Sequence, residues 1–501
     1  MRPLIETIFT AHTPETLAAS LAGEPGVVVL RSRHFASAQA RYSLVTARPF
    51  LTFRSTGSQC VVTRRDGGPA EQVCFGNPWR LLDALLARYE LPDEPDVPFP
   101  LGGGFGFWGY DLKKFVEPKL RVRTGNDLEL PDCHVGFHDS LVVFDHRADQ
   151  VWIVATGLAA DGSRSAERAR AQREFWQARL AAPPRAAVPA QGPRRAAHAP
   201  RPTSTFTRDQ FIAAVAAAQR YIRQGDIYQV NLAQRLTLPC PVRAEELFRR
   251  LAEVSPAPFA AFVDAGEFQL ASSSPELFLR LSGAHVQTRP IKGTRPRDAD
   301  PARDAQLAFE LQTSAKEQAE LVMITDLLRN DLGRVCEFGS VQVPDLLRLE
   351  KFAQVQHLVS TVEGRLRAEV THLAALAACF PGGSITGAPK FRAMEIIDEL
   401  EPVARGPYCG AIGYLGFNRE SQLSIAIRTA ICHAGRAHFS VGAGIVADSD
   451  PAAEYEETLA KARGFFAAMG MAEARCRMPD EEPGVALVAR ITDHASSRSL
   501  P

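Results

Sequence analysis

The 501-residue sequence contains no apolar run that approaches the roughly 18 residues of a membrane-spanning helix. Its N-terminus has an early glutamate, Glu6, and lacks the apolar core of a signal peptide. The nine cysteines form no C-x-x-C pair and no Cys/His metal-ligand spacing. These absences argue against a membrane protein, a disulfide scaffold and a zinc protein. They predict a soluble protein with reduced thiols in the cytoplasm.

The sequence also lacks an excess of either charge. Lys and Arg together number 57, and so do Asp and Glu. No net field therefore attracts the chain to nucleic acid or to an anionic membrane, and we expect neither as a partner. A small anionic substrate would need a local cluster of positive groups. Hydrophobic residues make up 46% of the chain, which is enough for a globular interior.

Local composition divides the chain into four parts. Residues 1–180 are typical of short strands joined by turns, and residues 181–204 are rich in Ala, Pro and Arg without periodicity, which indicates a linker. In residues 205–470 helical patterns alternate with paired strands, whereas residues 471–501 indicate a loose tail. Because few segments show a β-α-β rhythm, the predicted class is α+β with large antiparallel sheets.

Periodicity and turn signals locate the individual elements. Helices are predicted at 77–89, 163–180, 208–224, 244–254, 315–329, 388–400 and 451–468. Strands are predicted at 26–30, 140–144, 268–271, 277–281 and 424–432.

Two glycine-rich segments resemble nucleotide-binding loops. Residues 104–109 (GFGFWG) fit G-x-G-x-x-G, but no long helix follows, so close backbone packing is the better interpretation. Residues 383–390 (GSITGAPK) lack the contiguous Gly-Lys-Ser/Thr of a phosphate loop. A glycine-rich turn that leads into a helix still offers free backbone N–H groups to a carboxylate.

Two carboxylate pairs have helical spacing. Glu317 and Glu320 lie three residues apart, as do Glu454 and Glu457, and Lys461 follows on the same face as Glu457. Asp450 and the proline after it form an N-cap signal that puts Glu454 in an early helical turn. The pairs could be two solvated helix faces, or they could share a hard cation such as Mg²⁺. Spacing alone leaves both interpretations open.

A series of longer motifs resembles the chorismate-utilising enzymes, the family of anthranilate, aminodeoxychorismate, isochorismate and salicylate synthases. The matching segments are 225–232 (GDIYQVNL), 274–279 (SPELFL), 289–297 (RPIKGTRPR), 326–334 (DLLRNDLGR), 381–390 (PGGSITGAPK) and 442–446 (GAGIV). They occur in the family's order over more than half of the chain. The resemblance implies the family's fold, in which helices flank large antiparallel sheets in a two-layered, sandwich-like arrangement.

The resemblance also implies a site. Glu320 and Glu457 match Mg²⁺-ligand positions, and Glu317 and Glu454 would support the ion directly or through water. The residues that match substrate-binding positions are Arg428, Lys461, Tyr408, Ser384, Thr294, Gln229 and the backbone of Gly444. The residues that match catalytic positions are Lys292, Glu276 and His357.

Two positions indicate the branch. Anthranilate synthases typically carry Ala at the position of Lys292, and aminodeoxychorismate synthases typically carry Lys, whose amine would attack C2 of chorismate while Glu276 protonates the departing 4-hydroxyl. Isochorismate and salicylate synthases place a Lys near the position of Gln229 to activate water. We therefore expect an aminodeoxychorismate synthase component that uses ammonia. Anthranilate synthase and a catalytically silent, partner-binding homologue stay open as alternatives.

The ammonia is expected to come from a separate chain. The sequence has no Cys nucleophile in a Gly-x-Cys-x-Gly setting, which is the signature of an attached glutaminase. The resemblance therefore implies a glutamine amidotransferase partner.

Overall fold

The computed structural model describes residues 2–32, 40–65, 71–91, 94, 96–184, 202–352 and 355–471. Most of the predicted linker, and the predicted tail beyond Met471, lie outside the described residues. Among the helices that are described, none is long and apolar enough to cross a membrane.

Strands account for much of the described chain. They are β1 (Leu4–Ile8), β2 (Val28–Arg31), β3 (Tyr42–Thr46), β4 (Leu51–Thr56), β5 (Gln59–Arg64), β6 (Glu71–Phe75), β7 (Gly103–Trp108), β8 (Cys133–His138), β9 (Ser140–Asp145), β10 (Gln150–Ala155), β11 (Thr203–Ser204), β12 (Gln229–Pro239), β13 (Phe259–Asp264), β14 (Phe268–Ser274), β15 (Leu277–Ser282), β16 (His285–Arg289), β17 (Ile291–Pro296), β18 (Gln342–Lys351), β19 (Val355–Arg365), β20 (Gly387–Ala388), β21 (Ala411–Gly416), β22 (Glu420–Ile425), β23 (Thr429–His433) and β24 (Arg436–Ile445).

Helices lie between and outside the strands. They are α1 (Pro14–Ser20), α2 (Pro78–Leu86), α3 (Lys113–Val116), α4 (Ala166–Ala181), α5 (Arg208–Arg223), α6 (Ala244–Val254), α7 (Pro301–Thr313), α8 (Ala315–Gly333), α9 (His372–Cys379), α10 (Lys390–Leu400) and α11 (Pro451–Ala468). Short 3₁₀ turns occur at Ala87–Tyr89, Tyr110–Leu112 and Gly383–Ile385.

The strands form two large sheets. Sheet 1 has the order β1-β10-β9-β3-β2-β13-β14-β23-β24-β12-β11, with β20 also paired to β12. Sheet 2 has the order β17-β19-β16-β15-β22-β21-β7-β8-β4-β5-β6, with β18 also paired to β19. The strand pairings are antiparallel. The predicted class, α+β with large antiparallel sheets, is confirmed.

Both sheets contain strands from either side of the 181–204 segment. In sheet 1, β2 pairs with β13, and in sheet 2, β7 pairs with β21. One large apolar cluster contains side chains from both regions, including Phe107 and Phe268, whose ring centroids are 5.7 Å apart. The regions before and after the 181–204 segment therefore share their core.

The strand predicted over residues 424–432 is wrong, because the chain changes sheets within it. β22 ends at Ile425 in sheet 2, and β23 begins at Thr429 in sheet 1. Arg428 adopts a positive φ of 49° at this crossing. A left-handed conformation at a non-glycine residue ends a strand locally, and it is common at functional sites.

The glycines of residues 104–109 serve close packing, as predicted. They lie in β7 and the turn after it, and β7 pairs with β8 on one side and with β21 on the other. A Cβ added at Gly106 would lie 2.0 Å from the backbone oxygen of His134, so only glycine fits there.

Candidate active site

The predicted site residues come together where β12 and β24 of sheet 1 face β17 of sheet 2. Lys292 extends from β17, and its Nζ lies 3.5 Å from Glu320 Oε2 on α8. Gln229, the first residue of β12, donates to the same Glu320 oxygen at 3.4 Å. A Cβ added at Gly444 of β24 would lie 2.5 Å from Gln229 Nε2 and 3.6 Å from Lys292 Nζ. A glycine at 444 therefore leaves its backbone open to the amine and the amide.

Glu276 is the buried acid of the site. It lies between β14 and β15 and is 6% exposed. Burial raises the pKa of its carboxyl to about 7, and the Ser384 hydroxyl bond and the charge of Lys292 only partly oppose that rise. The structure thus brings together Glu276, Ser384 and Lys292. The carboxyl group can hold a proton near neutral pH, which a general acid requires.

His357 is held neutral beside Thr294. The two residues are paired across β19 and β17, and His357 Nδ1 lies 3.0 Å from Thr294 Oγ1 and 3.3 Å from the backbone oxygen of Gly293. Burial, together with the nearby charge of Arg428, lowers the pKa of His357 to about 4, although the bond to Gly293 partly opposes the shift. The imidazole is therefore uncharged at neutral pH.

Arg428 occupies the crossing between β22 and β23. Burial lowers the pKa of its guanidinium. In the part of the chain that the structure describes, no carboxylate forms an ion pair with it. Arg428 is partly buried, and a cation withdrawn from water without a protein counter-ion is costly unless an anion joins it. Its planar fork is suited to a carboxylate.

Lys461 and Tyr408 meet at Gly442, two residues before Gly444 on β24. Lys461 Nζ donates to the backbone oxygen of Gly442 at 2.8 Å and also pairs with Glu457 Oε1 at 2.7 Å. The buried Tyr408 hydroxyl lies 3.0 Å from where a Cβ on Gly442 would be. These groups therefore lie along the same stretch of β24 as Lys292 and Gln229.

The four glutamates lie near the N-terminal ends of two helices. Ser314 caps α8 ahead of Glu317, and Asp450 caps α11 ahead of Glu454, as the Asp-Pro signal predicts. Burial raises the pKa of Glu454, which accepts from Ser449 Oγ at 2.6 Å, and the charge of Glu457 raises it further.

The donor set is of the kind that Mg²⁺ prefers, because it consists only of carboxylate oxygens. The charge of Lys316 on α8 opposes the raised pKa of the buried Glu454 on α11, so the N-terminal ends of the two helices lie close together. Within the described ranges, no three His, Cys, Asp or Glu side chains converge on one point. Glu317 instead faces Arg295 at 3.6 Å, and Glu320 and Glu457 face lysines. The residue types thus fit the ion, while each carboxylate has a protein partner.

Comparison with known families decides what kind of enzyme this site belongs to. Residues 36–467 match the family described as chorismate binding enzyme. The chain belongs to this family. It is therefore an enzyme that acts on chorismate.

Individual relatives include two different synthases. Anthranilate synthase component 1 of Thermus thermophilus is 42% identical over 95% of this chain and 99% of the relative. Aminodeoxychorismate synthase component 1 of Klebsiella aerogenes is 41% identical over 88% of this chain and 93% of the relative. The crystal structure of anthranilate synthase component I from Streptococcus pneumoniae has a TM-score of 0.73 at 32% identity and covers 86% of this chain and 93% of its own. Overall identity does not separate the two reactions.

Two residues in or beside the candidate site were not predicted from the sequence. Ser449 holds Glu454 and also accepts from the backbone N–H of Val446. Arg405 forms a buried pair with Glu401, four residues earlier. The i,i+4 spacing of that pair is typical of an exposed helix surface, so nothing in the local pattern distinguishes it. For Ser449, its position one residue before the α11 N-cap was the available signal.

Proposed function

We propose that this chain is the chorismate-converting component of an aminodeoxychorismate synthase, which forms 4-amino-4-deoxychorismate on the route to para-aminobenzoate and folate. The observation that carries the proposal is Lys292. Its amine lies in the site, 3.5 Å from Glu320 and beside Gly444. Lysines that only contribute to solubility are mostly exposed, whereas the Lys292 side chain is 16% exposed and lies among the site residues.

The proposed reaction has two displacement steps. The amine of Lys292 attacks C2 of chorismate, the ring double bonds shift, and the 4-hydroxyl leaves as water after Glu276 gives it a proton. Ammonia then attacks C4, and the bonds shift back as the lysine amine departs from C2. The enolpyruvyl group stays attached. A covalent intermediate of this kind divides one difficult substitution into two easier ones.

The same site offers groups for the two carboxylates of the substrate. We assign one carboxylate to the guanidinium fork of Arg428 and to Tyr408. Lys461, Ser384 and the backbone of Gly444 complete the binding surface, and Thr294 and Gln229 border it. The neutral His357 stands close to Arg428 and can donate or accept a hydrogen bond without adding charge.

We propose Mg²⁺ as the cofactor. Glu320 and Glu457 would hold it, with Glu317 and Glu454 in support. When bound, the ion would neutralise a substrate carboxylate and polarise the bond that breaks. Because Lys292 and Lys461 each contact one of these carboxylates, they can take part in binding the substrate when the carboxylates hold the ion.

We infer that ammonia reaches the site from a separate glutamine amidotransferase chain. The family's relatives named as component 1 support this inference, as does the lack of a glutaminase nucleophile in the sequence. Free ammonium should therefore replace the partner in vitro.

Anthranilate synthase is the second candidate. The 42% identity with the Thermus thermophilus relative supports it. That reaction would aminate the ring at C2 and release pyruvate, so a lysine nucleophile that occupies C2 would obstruct it. The two candidates therefore differ in what Lys292 does.

The decisive test is the mass of the product formed from chorismate, Mg²⁺ and ammonium. A product that retains the enolpyruvyl group and carries an amino group in place of one hydroxyl supports the proposal. Anthranilate and pyruvate would overturn it in favour of the second candidate. No turnover, even with an amidotransferase present, would favour a silent homologue.

Replacement of Lys292 tests the covalent step. Without ammonium, the intact mass of the wild-type chain should increase by the mass of chorismate less water, and Lys292→Ala should show no adduct and little turnover. Lys351→Ala is the matched control, since Lys351 lies in sheet 2 on β18 and pairs with Asp304 outside the site. Full turnover by Lys292→Ala would contradict the covalent route.

A further inference from the structure

Arg405 is a buried cation that donates four hydrogen bonds. Its side chain is 3% exposed. Its Nε and Nη2 atoms donate to the two oxygens of Glu401 at 2.9 and 2.6 Å. The guanidinium also lies over the ring of Tyr110, with 4.7 Å between Cζ and the ring centroid. Such a bidentate, stacked arrangement fixes the plane of the guanidinium.

The remaining donors of Arg405 bind two backbone carbonyls from separate segments. Nη1 donates to the oxygen of Ile385 at 3.0 Å, and Nη2 donates to the oxygen of Asn231 at 2.8 Å. Ile385 follows Ser384 in the 3₁₀ turn, and Asn231 is two residues after Gln229 on β12. The guanidinium therefore joins the segment that carries Ser384 to the strand that carries Gln229.

Glu401 strengthens the same connection. One of its oxygens accepts from the backbone N–H of Ala233 on β12 at 2.9 Å, so the acid as well as the base of the pair binds this strand. Downstream of the pair, the backbone oxygen of Arg405 accepts from the N–H of Tyr408 at 3.2 Å. One buried ion pair thus contacts the backbone next to three predicted substrate-binding residues without contacting the reacting groups.

We propose that Arg405 is a positioning residue for the chorismate reaction, because it holds the Ser384 turn against β12 and so keeps the Ser384 hydroxyl on Glu276. A buried ion pair by itself seldom adds stability, since desolvation offsets the attraction. The two carbonyl bonds, in contrast, can be made only by a fork with several donors. A displacement of about 1 Å in such a supporting segment can lower turnover about 100-fold.

The alternative is that the pair merely stabilises the fold. A second buried pair provides the comparison, because Lys113 Nζ and Asp398 Oδ1 are 2.6 Å apart and their side chains are 1% and 2% exposed. This pair joins α3 to α10, and the contacts of its charged groups do not include the Ser384 turn or β12.

The test compares two double variants that remove both charges of a pair. Glu401→Gln/Arg405→Met keeps an acceptor for Ala233 and fills the volume of the arginine, while Lys113→Met/Asp398→Asn is the control. We expect both double variants to lose some stability, because each removes buried hydrogen bonds, but in the first variant kcat for chorismate consumption falls about 100-fold, with a much smaller change in KM. The control should keep its kcat. Arg405→Lys, whose single ammonium cannot bridge both carbonyls, should be intermediate.

An unchanged kcat in the first variant would overturn the proposal. So would equal losses of kcat in the two double variants that simply follow their losses of stability. This inference rests on the roles proposed for Glu276 and Ser384, but it does not depend on which product forms, because chorismate consumption is the quantity measured.

Amide hydrogen exchange gives a readout independent of turnover. We expect faster exchange of the amides of residues 383–388 in Glu401→Gln/Arg405→Met than in the wild type or the control. If the wild-type chain consumed no chorismate, the proposed function would fail, and exchange in this segment would still decide the positioning role. Equal exchange in all three proteins would overturn that role.

Discussion

The carboxyl group of Glu276 shows how one residue's chemistry depends on its solvation. In water a glutamate is ionised at neutral pH, but this side chain is almost fully buried, and none of the described residues forms an ion pair with it. The Ser384 hydroxyl and the more distant Lys292 charge only partly oppose the effect of burial. The result is an acid that keeps its proton up to about pH 7.

The raised pKa of Glu276 makes the stability of the protein depend on pH. The folded state holds this proton more tightly than the unfolded chain, so the contribution of the group is fully present below about pH 4.5 and is lost as pH rises through about 7. Each pKa unit corresponds to about 1.4 kcal/mol. The Glu276→Gln variant has no ionisable group at this position and should not lose stability in this way. The free energy of unfolding of the variant minus that of the wild type should therefore increase by about 3 kcal/mol between about pH 4 and pH 8.

Urea unfolding of both proteins at a series of pH values measures this difference. Glu267→Gln is a suitable control, because the Glu267 side chain is 73% exposed, and its difference from wild type should change little with pH. A constant difference between Glu276→Gln and wild type across the range would contradict the raised pKa.

At the scale of elements, strong local signals predict several of the helices but only a few of the strands. The helices predicted at 244–254 and 451–468 have the bounds found for α6 and α11, because amphipathic spacing and the Asp450–Pro451 cap act within the segment itself. The same signal, Asp300 followed by Pro301, begins α7, which was not predicted. Capping marks where a helix starts, but the buried face of α7 includes the charged Asp304 beside Leu307, Ala308 and Leu311, which interrupts the apolar periodicity.

The sheet crossing at Arg428 shows what local signals cannot supply. Residues 424–432 have a continuous β-forming composition, so they predict one strand. The break depends on partners far away in the sequence, since β22 pairs with β21 and β15 while β23 pairs with β14 and β24. The site residues themselves were identified through resemblance, and the buried role of Arg405 needed the three-dimensional contacts.

Replacement of Arg428 tests whether the crossing between β22 and β23 forms a carboxylate-binding site. Arg428→Lys keeps the charge but loses the planar fork, so the KM for chorismate should rise about ten- to hundredfold, corresponding to about 1.5–3 kcal/mol for bonds to a charged group. Arg436→Lys, at the exposed start of β24, is the control and should leave KM unchanged. An unchanged KM in Arg428→Lys would remove Arg428 from the substrate site.

The facing ends of α8 and α11 carry the proposed Mg²⁺ dependence. Chelation of the ion should abolish chorismate turnover, and Glu320→Gln or Glu457→Gln should raise the Mg²⁺ concentration for half-maximal turnover by about tenfold or more. Asp326→Asn is a control on α8, because the Asp326 side chain is 76% exposed and pairs only with Arg329 among the described residues. Full turnover in the presence of a chelator would contradict the metal site.

At the scale of the whole molecule, both sheets cross the boundary between the regions before and after the 181–204 segment. Separate domains would each complete their own sheets, but here β2 is bonded to β13 and β7 to β21. Phe137 and Phe417 also pack together across the boundary, with ring centroids 6.2 Å apart. Unfolding of either region would expose strand edges and apolar surface of the other.

The molecule should therefore unfold as one cooperative unit. Trp79, Trp108, Trp152 and Trp176 are the four tryptophans, and all of them precede the 181–204 segment. Their fluorescence thus reports on the first region, whereas far-UV circular dichroism also reports on helices such as α8 and α11 in the second. We expect the two probes to give the same urea midpoint, because coincident transitions are the mark of a single cooperative unit. A fluorescence transition at lower urea than the dichroism transition would mean that the shared sheets do not couple the regions, and that the candidate site could persist without the first of them.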